Sequence, residues 1–287
     1  MPGKLLEGKP IAEKIKKQLS AEVSALKAKY GRGPKLVALQ IGENAASEVY
    51  IRNQKKAAEA LGIQYELKVL PSAVSQIDAE NAIGVLNRDN SVTAIIVQLP
   101  VPLGIDAKRL SGLVATEKDA EGMHPQNIAK LFLGKSAIGP CTAMAVMELL
   151  ESTGVDMYGK EAVIVGHSEI VGKPLALMLL NKFATTTVCH IATGERGALP
   201  DHVRRAEILI VAVGKAGLVK GEWIRDGAIV IDVGINKVGD TITGDVEFEP
   251  AVKKAAYITP VPGGVGPLTT TILMRNTIEQ FKMKFQG

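Results

Sequence analysis

A glycine loop holds the residues best suited to binding a ligand, in the segment E-A-V-I-V-G-H-S-E-I-V-G-K-P at 161–174. Residues 162–165 form a short apolar run, which is typical of a strand buried on both faces, and helical spacing follows the loop. Gly166-x-Ser168-x-x-x-Gly172 therefore leads into a helix start, whose unpaired N–H groups and dipole can bind a phosphate. The spacing is not that of G-x-G-x-x-G, so an ordinary strand-to-helix turn explains the loop alone about equally well.

Other residues that could line a site are spread along the chain. The segment Y-I-T-P-V-P-G-G-V-G-P-L at 257–268 lets the backbone approach a flat ligand, although a rigid loop has the same composition. Gln98 ends an apolar run and needs hydrogen-bond partners if it is buried, which favours a role in a site. Cys141 has no histidine paired with it in sequence, so a buried structural thiol is the simpler interpretation. The four histidines lack ligand spacing, and no metal site is predicted.

The composition is that of an α/β protein. Of 287 residues, 46% are hydrophobic, 22% charged and 4% aromatic, and this length predicts two domains. The net charge of +4 is scattered, so nucleic acid is not an expected partner. Two cysteines, the lack of an apolar leader and the lack of a run of about 20 apolar residues predict a cytoplasmic protein that does not enter a membrane.

Apolar patterning predicts two α/β units. The first is expected to contain a helix over 10–29, a strand at 35–41, a helix over 47–61, a strand at 64–69, a helix over 75–86 and a strand at 94–98. This β-α-β-α-β order is typical of a parallel, doubly wound sheet. The second is expected to contain strands at 162–165, 186–190, 207–213 and 228–233, between a helix over 143–152 and a last helix over 268–285.

Eight motifs occur in the order in which one enzyme family carries them. They are A-S-E-V-Y at 46–50, V-Q-L-P-V-P at 97–102, K-D-A-E-G-M-H-P at 118–125, G-P-C-T at 139–142, G-H-S-E-I-V-G-K-P at 166–174, V-A-V-G-K at 211–215, I-D-V-G-I-N at 231–236 and T-P-V-P-G-G-V-G-P at 259–267. Over essentially its full length, the chain resembles the bifunctional methylenetetrahydrofolate dehydrogenase/cyclohydrolase family.

The resemblance implies a two-domain α/β fold. Residues 1–141 and the last helix, 268–287, would form a doubly wound α/β catalytic domain that binds folate. Residues 142–267 would form a Rossmann-like NAD(P)-binding domain. Folate, with or without a polyglutamate tail, would lie in the cleft between the domains, and the protein would be a homodimer that acts in one-carbon metabolism.

The two reactions of that family make different chemical demands. The dehydrogenase moves a hydride from the methylene carbon to a nicotinamide ring, and two folate nitrogens stabilise the methenyl cation that remains. No proton leaves, so this step requires orientation more than a base. The cyclohydrolase adds water to the methenyl carbon and moves protons as the ring opens, which requires a positioned acid/base.

Position 54 departs from the family pattern, in which a tyrosine that packs on folate is followed four residues later by the main cyclohydrolase lysine. One turn separates the two side chains, so they share a helix face. Here the pair is Tyr50 and Gln54, and glutamine can neither supply charge nor shuttle a proton. Lys55 and Lys56 are separated from position 54 by about 100° and 160° around the helix, so neither is a direct replacement. Loss of an acid/base group would raise the hydrolysis barrier by roughly 3–5 kcal/mol.

The remaining site residues carry over from the matching motifs. The K-D-V-D-G-F of the family reads K-D-A-E-G-M here, so Glu121 replaces the aspartate that holds the pterin amino group. The expected catalytic residues are Tyr50, Gln54, Gln98 and Glu121. The expected folate contacts are Tyr50, Val97, Gln98, Leu99, Glu121, Pro260, Val261, Pro262, Gly263 and Gly264. The expected cofactor contacts are Gly166, His167, Ser168, Gly172, Ile191 and Ile235.

The cofactor is expected to be NADP, with NAD as the alternative. An acidic residue at the end of the second strand of the nucleotide-binding unit would favour NAD, and Ile191 stands there instead. His167 could pair with a 2′-phosphate when it is protonated.

Three functions stay open at this point. The first is a dehydrogenase with weak or absent cyclohydrolase activity. The second is a fully bifunctional enzyme in which a residue such as Lys55 restores hydrolysis. The third is a non-catalytic folate- or nucleotide-binding protein, against which the intact Tyr50, Gln98 and glycine loop argue.

Overall fold

The computed structural model describes residues 3–285, without the side chains of residues 45 and 46. Its strands are β1 (Lys4–Leu5), β2 (Lys35–Ile41), β3 (Gln64–Leu70), β4 (Ala94–Val97), β5 (Glu161–Val165), β6 (Thr185–Cys189), β7 (Ile208–Val211), β8 (Ile229–Asp232), β9 (Asn236–Val238), β10 (Thr241–Thr243) and β11 (Tyr257–Ile258). Its helices are α1 (Gly8–Tyr30), α2 (Ala45–Leu61), α3 (Gln76–Arg88), α4 (Ala107–Leu113), α5 (Pro125–Phe132), α6 (Cys141–Ser152), α7 (Gly172–Asn181), α8 (Ile191–Glu195), α9 (Leu199–Arg205), α10 (Phe248–Val252) and α11 (Gly266–Met283). Among the described residues, no helix is both long enough and apolar enough to cross a bilayer.

Contacts divide the chain into two compact units. Residues 14–141 group with 270–285 in the three-stranded unit, and residues 3–13 group with 142–269 in the six-stranded unit. The sequence-based division places residues 3–13 with the catalytic domain, whereas their contacts group them with the six-stranded unit. Lys4 of β1 pairs in parallel with Tyr257 of β11, which belongs to the six-stranded unit. A two-residue strand carries no periodicity, so the sequence could not reveal this long-range pairing.

The three-stranded unit is built around a parallel sheet in the order β3-β2-β4. Its central strand contains the apolar run 36–39, and Leu36 and Leu39 are fully buried, as expected for the predicted strand. Ser75 caps the start of helix α3, because its hydroxyl accepts a hydrogen bond from the Asp78 N–H. Because all three strands run the same way, their carboxyl ends meet at one edge, and Gln98 directly follows β4 at that edge.

The six-stranded unit contains a parallel sheet in the order β1-β11-β8-β7-β5-β6, together with an antiparallel hairpin of β9 and β10. The predicted strands correspond to β5, β6, β7 and β8. Strand β5 lies between β6 and β7, so the direction in which the chain adds strands reverses beside β5. Open α/β sheets bind ligands at the carboxyl ends of strands at such a point, and the glycine loop directly follows β5.

Candidate active site

A buried polar cluster joins α2 to both outer strands of the three-stranded unit. Gln54 of α2 is 8% exposed, and Gln98 after β4 is 5% exposed. The Gln54 amide oxygen accepts one hydrogen bond from Gln98 Nε2 at 2.9 Å and another from the Tyr65 hydroxyl of β3 at 3.1 Å. Two donors on one carbonyl oxygen compensate for the burial of this polar group. The structure therefore brings the predicted residues Gln54 and Gln98 into direct contact.

Exposed apolar side chains neighbour this cluster along the chain. Tyr50, one helical turn before Gln54, is 62% exposed, and Leu99, which follows Gln98, is 60% exposed. Val97 is instead buried in the core beneath the sheet. An exposed aromatic ring and an exposed leucine beside buried amides suit a flat ligand that carries polar atoms on its edges.

The loop that carries Glu121 extends the edge of the sheet. The Ala120 N–H donates to the Ile95 carbonyl of β4, and Asp119 forms a parallel bridge with Ile95. The loop therefore runs alongside β4 and leads Glu121 toward the carboxyl end of the strand, where Gln98 lies. Asn276 of α11 holds the loop from the other side, because its amide donates to the Ala120 carbonyl at 2.9 Å.

The charged neighbours of Glu121 in this loop have structural partners. Lys118 donates to the carbonyls of Leu86 and Asp89 at 2.9 and 2.6 Å. Asp119 accepts a hydrogen bond from Asn127 Nδ2 at 2.9 Å. These contacts fix the backbone on both sides of position 120 and leave Glu121 as the carboxylate available to a ligand.

Glu121 has unusual acidity for a carboxyl group. Burial, together with the negative charge of Asp119, raises its pKa to about 7. Burial also raises the pKa of the nearby Cys141 thiol far above its ordinary range, and the carboxylates of Glu121 and Asp119 add to this effect. A thiol that stays protonated is a poor nucleophile, which agrees with the structural role expected for Cys141.

A large cavity lies at the carboxyl ends of the strands in the six-stranded unit, with a volume of about 780 Å³. It is lined by Val165, Gly166, His167, Ser168, His190, Ile191, Gly194, Glu195, Gly197, Leu199, Pro200, Ala212, Val213, Lys215, Leu218 and Trp223. Four of the residues expected to contact the cofactor are among them, namely Gly166, His167, Ser168 and Ile191. Gly172 and Ile235 do not line this cavity.

The glycine loop is shaped by packing as much as by ligand access. Gly166 has φ of +121°, and a Cβ there would overlap the Ala212 carbonyl oxygen. A Cβ on Gly172 would overlap the Gly166 carbonyl, so Gly172 lets α7 begin close against the loop. The Ser168 hydroxyl accepts hydrogen bonds from the Val171 and Gly172 N–H groups at 3.2 and 3.5 Å. Part of the helix start that could bind a phosphate is therefore already hydrogen-bonded to Ser168.

Two buried aspartates hold the loops beyond β7 and β8. Asp245 is fully buried, and its carboxylate accepts hydrogen bonds from the N–H groups of Val213 and Lys215, at 2.7 and 2.8 Å. Asp232 accepts from the Asp245 and Val246 N–H groups at 3.0 and 2.8 Å. Burial raises the pKa of Asp232 to about 6, against the opposing effect of these donors. The pair fixes the V-A-V-G-K segment as one wall of the cavity.

The predicted proline- and glycine-rich loop, Pro260–Gly264, also belongs to the six-stranded unit. Gly263 has φ of +114°, and its carbonyl accepts a hydrogen bond from the Gly8 N–H at 2.9 Å. Pro260 and Val261 line a second cavity of about 160 Å³ beside Asp232. The folate contacts expected for Pro262 and the other residues of this loop stay predictions.

Family models match both parts of the chain. The model of the tetrahydrofolate dehydrogenase/cyclohydrolase catalytic domain matches residues 6–121, and the model of the NAD(P)-binding domain of that family matches residues 140–285. The chain belongs to the tetrahydrofolate dehydrogenase/cyclohydrolase family. It is 48% identical over 280 residues to the bifunctional protein FolD of Moorella thermoacetica. The aligned region covers 97% of this chain and 99% of that relative.

Solved structures of this family share the fold. The FolD methylenetetrahydrofolate dehydrogenase/cyclohydrolase of Campylobacter jejuni is 42% identical with a TM-score of 0.94, over 98% of this chain and 99% of that one. The FolD of Trypanosoma brucei, solved with NADP and an inhibitor, is 41% identical with a TM-score of 0.94 over 100% of both chains. The predicted family, the two-domain α/β fold and the class of NAD(P)-dependent folate enzyme are confirmed.

Sequence reasoning missed several residues of the site. His190 and Lys215 line the large cavity, and the His190 ring lies 5.4 Å from the ring of His167 between centroids. Both could have been found, because His190 directly follows a predicted strand and Lys215 ends a family motif. Tyr65 and Asp245 carried no local signal, since long-range packing alone brings them to the site.

Proposed function

We propose that this family member oxidises 5,10-methylenetetrahydrofolate to the methenyl form with NADP⁺ and hydrolyses the methenyl form weakly or not at all. Family membership and the fold support the dehydrogenase. Gln54 is the observation that carries the loss of hydrolysis, because a neutral amide occupies the position at which the family pattern has lysine. The proposal therefore separates two activities that the family usually combines.

Orientation is sufficient for the oxidation. NADP⁺, when bound, supplies the hydride acceptor, and the substrate carbon that loses the hydride needs no base. The exposed Tyr50 ring can pack on the folate, and the buried Gln98 and the half-buried Glu121 can hydrogen-bond its polar edge. Each of these residues binds or orients the substrate, and none of them has to move a proton.

Hydrolysis lacks a group of the required kind at position 54. Both hydrogen bonds to the Gln54 oxygen come from neutral donors, and an amide has no pKa that would let it shuttle a proton near neutral pH. Lys55 does not replace the missing charge, because its side chain is 60% exposed and lies 4.0 Å from Glu59 on the helix surface. Lys56 is exposed as well.

The large cavity suits NADP. Its volume lies within the range that cofactor sites occupy, and its wall contains backbone at Gly166 and a cationic side chain at Lys215. His190 and Ile191 follow β6 where an acidic residue would bind the ribose hydroxyls of NAD, although Glu195 lies one helical turn further on. The Trypanosoma brucei relative was solved with NADP.

A fully bifunctional enzyme is the second candidate, and Glu121 is the observation that favours it. A carboxyl group with a pKa of about 7 has the acidity that general acid/base catalysis requires at neutral pH. Relatives that carry the name bifunctional protein FolD also support this candidate. We favour the first candidate because Glu121 corresponds to a substrate-binding position in the family pattern.

One assay decides between these functions. Purified protein is given methylenetetrahydrofolate and NADP⁺, and reduced cofactor, methenyl product and formyl product are measured separately against an enzyme-free control. We expect reduced cofactor and methenyl product to accumulate in equal amounts. Formyl product that forms faster than in the control would establish the bifunctional enzyme, and binding without reduced cofactor would establish a non-catalytic protein. Repeating the assay with NAD⁺ tests the cofactor, for which we expect a higher KM.

The acidity of Glu121 predicts pH-dependent substrate binding. If its carboxylate accepts hydrogen bonds from the pterin amino group, protonation below about pH 7 removes an acceptor, and KM for methylenetetrahydrofolate rises by up to about tenfold per pH unit. Glu121→Gln is expected to raise KM at pH 8 and to abolish this pH dependence. A wild-type KM that stays constant between pH 5.5 and 8 would contradict this role.

Stability should change with pH in the opposite direction. The pKa of Glu121 is higher in the folded chain than its ordinary value of 4.5, so the folded state binds more protons than the unfolded state between about pH 4.5 and 7. The Glu121 contribution to the free energy of unfolding is therefore present at low pH and is lost as pH rises through 7. In denaturant titrations, the free energy of unfolding of Glu121→Gln should therefore fall less between about pH 4.5 and 7 than that of the wild type.

The oligomeric state and the substrate tail stay predictions. The family resemblance leads us to propose a homodimer that accepts folates with or without polyglutamate. Sedimentation equilibrium tests the first statement, and the KM values for mono- and polyglutamylated substrates test the second.

A further inference from the structure

Tyr65 contacts the one residue on which the proposed loss of hydrolysis depends. Its hydroxyl donates to the Gln54 amide oxygen at 3.1 Å, and Gln98 Nε2 donates to the same oxygen at 2.9 Å. Tyr65 lies on β3 and Gln98 directly follows β4, the two outer strands of the sheet, and Gln54 comes from α2. A carbonyl oxygen has two lone pairs, so these two bonds saturate it.

The amide nitrogen of Gln54 is left with a different environment. It makes no hydrogen bond to the residues that the structure describes, and it is not among their fully buried atoms without a partner, so part of its surface is accessible. Because the oxygen and nitrogen of an amide point in different directions, fixing the oxygen also fixes the direction of the two N–H bonds.

We propose that Tyr65 is a positioning residue that holds the Gln54 oxygen inward, so that Gln54 presents only N–H donors to the bound folate. This inference rests on the proposed function and adds a residue to it. Tyr65 and Gln54 together would then provide a fixed hydrogen-bond donor at position 54, where the family pattern has a flexible, charged lysine.

The chemistry of Tyr65 suits a permanent donor. Burial raises the pKa of Tyr65 to about 12, so the hydroxyl keeps its proton throughout the pH range in which the enzyme can work. Tyr65 lies on β3 opposite Leu36 of the central strand, which is fully buried, so the strand that carries the ring is anchored in the sheet.

This arrangement also bears on hydrolysis. A water molecule that binds to Gln54 would have to accept a hydrogen bond from its N–H groups, because the amide oxygen is saturated. Such a water would direct one of its own lone pairs at the Gln54 N–H groups, and the saturated amide oxygen would offer no hydrogen-bond acceptor to orient its hydrogens. The hydrogen bond from Tyr65 thus prevents water from using the Gln54 amide oxygen as an acceptor, which an unrestrained glutamine side chain would allow.

A double-mutant cycle tests the inference. Tyr65→Phe removes the hydroxyl and keeps the ring, and we expect it to raise KM for methylenetetrahydrofolate by about three- to tenfold, the effect of one hydrogen bond, with KM for NADP⁺ unchanged. Gln54→Ala should raise the same KM to a similar extent. In the Gln54→Ala background, Tyr65→Phe should have no further effect, because the hydroxyl acts through Gln54.

Controls separate this role from a structural one. Tyr30→Phe removes a hydroxyl from an aromatic cluster with Phe281 and Phe285 in the same unit and should change neither KM. Tyr65 does not position Gln54 if Tyr65→Phe leaves both KM values unchanged. The same conclusion follows if the fold-change in KM of the double variant equals the product of the two single fold-changes. The proposed function stands in either case. Wild-type protein that neither oxidises methylenetetrahydrofolate nor binds tetrahydrofolate in calorimetry would overturn the proposed function and this inference with it.

Discussion

Gln54→Lys should give this enzyme a cyclohydrolase activity about 10²–10⁴-fold above that of the wild type, the range that one acid/base group contributes. The introduced amine would lie between the Tyr65 hydroxyl and the Gln98 amide, whose oxygen atoms can accept hydrogen bonds from it once the Gln98 amide rotates. Since position 54 is buried, desolvation lowers the pKa of an amine there toward neutrality, where it can both give and take a proton. The dehydrogenase rate should change little, because hydride transfer requires no proton transfer.

Two control variants show whether the position or the charge produces the gain. Asn53→Lys adds a lysine at the preceding, exposed residue of α2 and should not increase hydrolysis. Gln54→Met keeps a side chain of similar length without an ionisable group and should not increase it either. The measurement is the decay of methenyltetrahydrofolate, corrected for the uncatalysed rate. A folded Gln54→Lys protein that oxidises methylenetetrahydrofolate but hydrolyses no faster would show that position 54 does not limit hydrolysis.

Tyr65 makes this prediction more specific. In the wild type its hydroxyl donates to Gln54, whereas an amine at position 54 would require the same oxygen to accept. A hydroxyl can do either, so the site can hold either residue without rebuilding the sheet. In this fold, a dehydrogenase would therefore differ from a bifunctional enzyme by the single side chain at position 54, and its partners Tyr65 and Gln98 are already in place.

The sequence predicted those parts of the fold that have strong local signals. Uninterrupted apolar runs predicted β4 and β7, because strands buried on both faces are rich in apolar residues, and the apolar run 36–39 predicted β2. Helix α1 followed from apolar residues at steps of three and four, and three of these, Ile15, Leu19 and Val23, are buried. The short strand β1 and the hairpin of β9 and β10 were missed, since two or three residues do not establish a period.

The site was predicted to the extent that motifs identify it. Gln54 was noticed as a departure from a family pattern, but its contact with Tyr65, 11 residues away, could not be predicted from the local sequence. Asp245 shapes the wall of the cavity from a segment 30 residues beyond Lys215. Contacts at such separations depend on how helices and strands pack, which the local pattern does not specify.

Gly172→Ala should weaken NADP⁺ binding by about tenfold or more and lower the stability of the six-stranded unit. Gly172 does not have positive φ, so its backbone would accept alanine. The obstacle is steric, since the added Cβ would overlap the Gly166 carbonyl and approach the His167 Cα. Both are backbone atoms that cannot turn aside, so α7 and the loop must separate at a cost of about 1–3 kcal/mol. That separation moves Gly166, His167 and Ser168 in the wall of the cavity.

The expected signature is a higher KM for NADP⁺ and a lower Tm, with tetrahydrofolate binding unchanged in calorimetry. Gly112→Ala is the matched control, because a Cβ at this helical position of α4 meets no atom within 4 Å, and alanine there should be neutral or slightly stabilising. Unchanged NADP⁺ affinity in Gly172→Ala would show that the spacing of the two glycines does not set the shape of the site. A raised KM would instead explain why this loop functions without the G-x-G-x-x-G pattern. Gly172 would then be required because it lets α7 pack closely against the loop, and the cofactor would bind to the surface formed by that packing.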